Sequence, residues 1–153
     1  MAMDLFEMAR NLEMEGKSVY EHGIKLNKSE NIKKILQMLL KVEETHFDLF
    51  IEIQKNKKPG PIKHVDFKLA RQVFAVLKNE KFSNEQVKCF EKMLTTEKRS
   101  EDYYNENANG NATILEIAKE EHRHFVLIKE MMDLLKKTKD YRESEDFKKF
   151  DNY

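Results

Sequence analysis

Leu39-Leu40-Lys41-Val42-Glu43-Glu44-Thr45-His46-Phe47-Asp48-Leu49-Phe50 and, later in the chain, Ile117-Ala118-Lys119-Glu120-Glu121-His122-Arg123-His124-Phe125-Val126-Leu127-Ile128 are the stretches whose reading decides the fold. Laid over one another at an offset of 78 (124 minus 46), they match Leu39 to Ile117, Glu43 to Glu121, His46 to His124 and Phe50 to Ile128. The match extends outward to Leu36 on Ile114 and Ile53 on Met131. Apolar residues recur at the three- and four-residue steps of one helix face, so each stretch reads as an amphipathic helix. Each also carries Glu-x-x-His where that periodicity demands core.

A second repeat accompanies the first. At an offset of 84 (97 minus 13), Ala9 falls on Met93, Glu13 on Glu97, Gly16 on Ser100 and Tyr20 on Tyr104. The whole pattern predicts four long helices, over about 4–26, 30–55, 84–107 and 112–137. Ser29 is the expected N-cap of the second helix, Ser83 with Gln86 suggests a capping box for the third, and Thr113 with Glu116 one for the fourth. Lys57-Lys58-Pro59-Gly60-Pro61 breaks the chain between the second and third, and Phe67, Ala70, Phe74 and Leu77 mark a shorter helix after it. Short links make antiparallel hairpins of the first and last helix pairs, joined by a long crossover.

Composition agrees with this all-α reading. The chain has 153 residues, 40% apolar and 37% charged, with only 4 Gly and 2 Pro. So much charge beside so much apolar surface is reconciled by helices with one buried face. The expected organisation is one domain over 1–137 followed by a loosely held, charged tail over 138–153. Its 28 basic and 28 acidic residues balance, leaving no basic footprint for nucleic acid or an anionic membrane surface. No apolar run has signal-peptide or membrane-span length, so the expectation is a soluble, cytoplasmic protein. Cys89 is the sole cysteine, so a metal held within one chain takes oxygen and nitrogen ligands.

The two repeats bring Glu13, Glu43, His46, Glu97, Glu121 and His124 to the inner faces of four helices. Residues three apart on a helix share a side, so each Glu-x-x-His pair can point at one centre. Burying four bare carboxylates is prohibitive unless they are protonated or neutralised. Two divalent cations neutralise them, and the imidazoles add uncharged nitrogen donors. Such a donor set suits iron or manganese, with zinc as a further alternative.

In the order Glu, Glu-x-x-His, Glu, Glu-x-x-His over roughly 4–137, the chain resembles the ferritin-like di-metal carboxylate proteins, and rubrerythrin-like members in particular. The resemblance implies a ferritin-like antiparallel four-helix bundle with a short helix in its crossover. It implies two iron ions on the six residues above, in a peroxidase or oxidase reacting with hydrogen peroxide or dioxygen. Ferroxidase chemistry in iron handling, or a bundle that binds metal without turnover, are the alternatives. A homo-oligomer, with a dimer favoured, is the expected assembly. Rubrerythrins carry a four-cysteine rubredoxin domain, so with one cysteine here the resemblance implies an external donor such as a rubredoxin-type protein. They also carry a further Glu three residues from the ligand of the third long helix, where this chain has Leu94 or Ser100, the nearest carboxylate in that face being Glu101.

The remaining candidates divide by register. Tyr20 and Tyr104 follow their glutamates by one heptad and either hydrogen-bond a ligating carboxylate or serve as core packing. Glu15, Glu44, Glu101 and Glu120 compete with the proposed ligands. Glu15 maps to Arg99 and Glu44 to His122, which places both on the surface, and Glu101 is expected in a helix-face ion pair. His22, His64 and His122 are expected to be solvated, Met8, Met14, Met38, Met93, Met131 and Met132 to fill core, and Cys89 to be a buried or partly buried inert thiol.

Overall fold

In a computed structural model of the chain, residues 4–77, 80 and 82–151 are described, with side-chain surroundings through 137. The described residues are all-helical: α1 (Leu5–Leu26), α2 (Glu30–Gln54), α3 (Phe67–Phe74), α4 (Asn84–Asn107) and α5 (Ala112–Asp151). Helix starts are set by side chains that accept from first-turn N–H groups, each contributing about 1 kcal/mol. Asp4 caps α1, Ser29 caps α2 and Asp66 caps α3, while Ser83 and Gln86 form the expected reciprocal capping box of α4.

Two helix limits differ from expectation. The Ile114 N–H is accepted by Asn111 Oδ1 at 3.1 Å, so Asn111 rather than Thr113 takes the capping place at the start of α5. Asn109 (φ 49°) and Gly110 (φ 79°) turn the chain into that start through the left-handed region, which both residue types tolerate. At its other end α5 continues to Asp151, well past residue 137. The segment contains neither Gly nor Pro, and charge alone does not stop a helix. How the side chains of 138–153 are held lies outside the described residues.

Directions follow from pairs of contacts. Arg10 of α1 bonds Gln54 of α2, and Lys17 meets Glu44, so α1 and α2 run antiparallel. Glu101 with His122 and Glu91 with Lys136 show the same for α4 and α5. Tyr104 reaches Ala9 while Cys89 reaches Val19, so α1 also lies antiparallel to α4. The chain between α2 and α4 runs along α2 and α5: the Gly60 N–H donates to Glu52, the Val65 N–H to Glu120, Arg71 to Glu130, and Ser29 at the start of α2 donates to Glu80.

The apolar interior is divided in two. One cluster holds Ile35, Leu36, Leu39, Phe90, Met93, Leu127, Ile128 and Met131; the other holds Ala9, Leu12, Leu49, Phe50, Ile114, Ile117 and Ala118. On α1, α2, α4 and α5 alike, the ionisable residues of the repeat stand between the two, so each helix is anchored on both sides of a polar layer. Full burial of each large apolar side chain contributes roughly 1.5–3 kcal/mol. Met93, Met131 and Met132 are core, and Met8 and Met38 are partly buried. Met14 is not core filler: it is 59% exposed, because the buried stripe of α1 passes through Leu12, Glu13 and Gly16 and leaves it to one side. Among the described residues no helix is long and apolar enough to cross a membrane.

Candidate metal centre

All six residues singled out by the repeats meet in the polar layer, each with no more than 2% of its surface exposed. His46 Nδ1 lies 2.7 Å from Glu121 Oε1 and 3.8 Å from Glu13 Oε2. Opposite it, His124 Nδ1 lies 3.0 Å from Glu43 Oε1 and 3.5 Å from Glu97 Oε1. Two sets result, Glu13, Glu43, His46 and Glu121, and Glu43, Glu97, Glu121 and His124, each offering one donor atom per residue with all atoms within 4.8 Å. Glu43 and Glu121 belong to both. Glu13 and His46 are exclusive to one set, Glu97 and His124 to the other.

Each set could hold a metal ion. Glu13 Oε2 and Glu97 Oε2 are buried acceptors with no hydrogen-bond partner among the described residues, one in each set, and such atoms are costly unless a positive group faces them. Without a metal, three of the four carboxyls are pushed toward their protonated forms. Burial, reinforced by Glu43, holds the Glu13 carboxyl well above its usual range, and burial with Glu13, Glu43 and Glu97 does the same to Glu121. Glu43 is raised by burial and by Glu97. Burial acts upward on Glu97 too, but hydrogen bonds from Glu121, His124 and Tyr20, with the His124 charge, outweigh it and bring it down to about 2. Burial and the neighbouring His124 depress His46 to about 3. For His124 the desolvation is overcome by Glu97, Glu120 and Glu43, and its pKa rises well above the ordinary imidazole value.

The two tyrosines cross over. Tyr20 of α1 donates to Glu97 of α4 at 2.5 Å, and Tyr104 of α4 donates to Glu13 of α1 at 2.8 Å. Each therefore orients the carboxylate of the facing helix, and both phenols are held well above their usual pKa, first by burial and then by those carboxylates. Close approach of α1 to α2 depends on Gly16, where a Cβ would stand 3.1 Å from Glu43 Oε2.

Glu120 is the residue that register alone does not place. It is fully buried, and its carboxylate accepts from His124 Nε2 at 3.1 Å, the Val65 N–H at 2.6 Å, His64 Nδ1 at 2.8 Å and Arg123 Nε at 3.1 Å. Burial opposes its charge, but the bonds from His124, Val65 and His64 prevail and lower it to about 2. Its sequence signal is a carboxylate one helical turn before His124. His64 is thus half exposed but bonded, not simply solvated, because the crossover lays it against α5. Glu15 pairs with Arg99 and Glu44 with Lys17, both at the surface. Glu101 of α4 lies 3.2 Å from the exposed His122 of α5 and stays out of both donor sets. His22 is exposed, and Cys89 is buried with its thiol pushed up by desolvation.

A groove of about 660 Å³ opens beside α1 and α2 and reaches Glu13 and Glu43. Met14, Lys17, Glu21, Glu44 and Asp48 also line it. In comparisons with known proteins, no family model, no curated protein and no solved structure matches this chain.

Proposed function

We propose that the chain is a ferritin-like four-helix bundle of the rubrerythrin-related kind, with the α3 segment as its crossover, and that it holds two transition-metal ions, iron first, as an oxidoreductase acting on hydrogen peroxide or dioxygen. The observation that carries this reading is the pair of buried carboxylate and imidazole sets sharing Glu43 and Glu121. Two shared carboxylates would keep two cations close together, and four carboxylates would balance two divalent charges.

Bound there, a pair of ferrous ions would supply the two electrons that take peroxide to water or dioxygen to the peroxide level. The protein's own contribution is positional. Glu43 and Glu121 would be shared by the two ions, Glu13 with His46 and Glu97 with His124 would complete each set, and Tyr20 and Tyr104 hold the outer carboxylates by hydrogen bonds. The apolar clusters on either side exclude bulk water, and the groove beside α1 and α2 gives a small oxidant its approach. Reducing equivalents come from a separate donor protein.

The acidic lining of that groove favours a second reading, in which ferrous iron is the substrate and enters past Glu21, Glu44 and Asp48 for oxidation. Anaerobic loading with ferrous iron followed by rapid mixing with peroxide or dioxygen tests both readings. Fast, repeated peroxide turnover in the presence of a reductant supports the peroxidase. Oxidation of many iron equivalents per chain by dioxygen, in a cage-sized particle by size-exclusion chromatography, supports iron handling. Absence of any oxidation by either oxidant contradicts both.

A further inference from the structure

The 78- and 84-residue repeats relate the donors of the two halves of the centre, but what stands behind each imidazole differs. His124 Nε2 lies 3.1 Å from Glu120, whose remaining contacts tie it to the crossover: the Val65 N–H, His64 Nδ1 and Arg123 Nε. Arg123 also donates to the Val65 carbonyl at 3.1 Å, and its guanidinium stacks 4.7 Å over the Phe67 ring. The residue that the repeat places behind His46 is Val42, an apolar side chain, and His46 Nε2 is buried without a hydrogen-bond partner among the described residues.

An imidazole that binds a metal through Nδ1 carries its proton on Nε2. At His124 that proton points to a carboxylate, which fixes the ring, selects the tautomer and strengthens the nitrogen donor. At His46 the same proton is left buried and unsatisfied, which opposes binding. We propose that the two metal positions are inequivalent by construction: the position on Glu43, Glu97, Glu121 and His124 fills first, with Glu120 as its positioning residue and the crossover as its clamp. The position on Glu13, Glu43, His46 and Glu121 fills second. Loss of such a partner costs about 10–100-fold in metal affinity, which sets the expected gap between the two.

This rests on the metal-binding reading, and the test separates the two. The full-length, metal-free protein is titrated anaerobically with cobalt(II), followed by calorimetry and by the visible ligand-field bands. Two equivalents are expected to bind in two phases, with affinities about 10–100-fold apart. Glu97→Gln should remove the tighter phase and Glu13→Gln the weaker. Glu120→Gln should weaken the tighter phase by about 10–100-fold and shift its bands, leaving the weaker phase and its bands unchanged. His64→Gln with Arg123→Gln, at half-exposed positions, should act in the same direction by less, and carries the test if Glu120→Gln loses helix content. Two indistinguishable phases in the unaltered protein, or a Glu120→Gln effect absent or confined to the weaker phase, overturns the inequivalence while leaving the metal centre standing. No cobalt uptake at all overturns both.

Discussion

The imidazole rings of His46 and His124 lie parallel across the centre of the molecule, 6° from coplanar orientation and 5.9 Å apart between centroids. They come from helices whose sequences superpose at a 78-residue offset, and each presents Nδ1 to a glutamate of the other helix: His46 to Glu121, His124 to Glu43. The exchange makes Glu43 and Glu121 common to both donor sets, whereas Glu13 and Glu97 serve one each.

That division predicts a graded response to substitution. Glu13→Ala and Glu97→Ala should each lower bound metal by about one ion per chain, because each removes a donor from a single set. Glu43→Ala or Glu121→Ala should lose both ions. Glu15→Ala, which breaks only a surface pair with Arg99, should change stability by no more than about 1 kcal/mol and leave metal content alone. Elemental analysis of the set checks this, and an effect of Glu15→Ala equal to that of Glu13→Ala would mean that the register of α1 is misassigned.

Without metal, stability should rise as pH falls from about 8 toward 6. Glu13, Glu43 and Glu121 have folded-state pKa values raised above their unfolded ones, as does His124, so the folded chain binds protons that the unfolded chain does not. Their stabilisation is complete below the unfolded values and is lost as pH rises through the folded ones, at about 1.4 kcal/mol per pH unit for each proton. His46, depressed to about 3, opposes the trend only once pH falls below its unfolded value of about 6.5. Further acid reverses the gain as the lowered Glu97 and Glu120 are protonated. Thermal melts of chelator-treated protein across this range measure the effect, and a melting temperature that falls steadily from pH 8 to 6 would count against mutually buried carboxylates.

Metal binding should release protons for the same reason. Cations require ionised Glu13, Glu43 and Glu121 and an unprotonated His124, so uptake expels the protons these groups hold. Calorimetric titrations in buffers of different ionisation enthalpy give the number released. Affinity should fall as pH falls, and an affinity independent of pH would contradict protonation of the metal-free centre.

The crossed tyrosines should differ in worth despite their symmetry. Tyr20 donates to Glu97, a carboxylate held ionised, so Tyr20→Phe in metal-free protein near neutral pH should cost about 1.5–3 kcal/mol. Tyr104 donates to Glu13, whose carboxyl is held toward its neutral form, and Tyr104→Phe should cost about 0.5–1.5 kcal/mol. Urea denaturation resolves the difference, and equal losses would mean that the two carboxylates share one charge state.

Much of this arrangement is legible in the order of residues alone. Glu43, His46, Glu121 and His124 stand out because two helices repeat the same exception to an apolar seam, and Glu13, Glu97, Tyr20 and Tyr104 because a second pair repeats another. Helical periodicity is local, so it locates these residues on inner faces without knowledge of what they face. Glu120 is different: its partners Val65 and His64 belong to the crossover, and their position against α5 follows from how a proline-broken segment is laid down, which no period records. Met14 shows the converse limit, since an apolar residue beside a buried stripe reads as core until the stripe's width is known. The cap at Asn111 and the extension of α5 to Asp151 are terminal details, where several polar residues compete and no Gly or Pro gives a stop.

The most direct measurement is the metal content of the protein after anaerobic reconstitution with excess ferrous iron and removal of unbound metal, run beside Glu43→Gln and Glu121→Gln. Two iron ions per chain in the unaltered protein, and none retained when either shared glutamate is replaced, is the predicted result. A content of one ion or fewer in the unaltered protein, or two ions retained after replacement of Glu43 or Glu121, would contradict a centre built on bridging carboxylates.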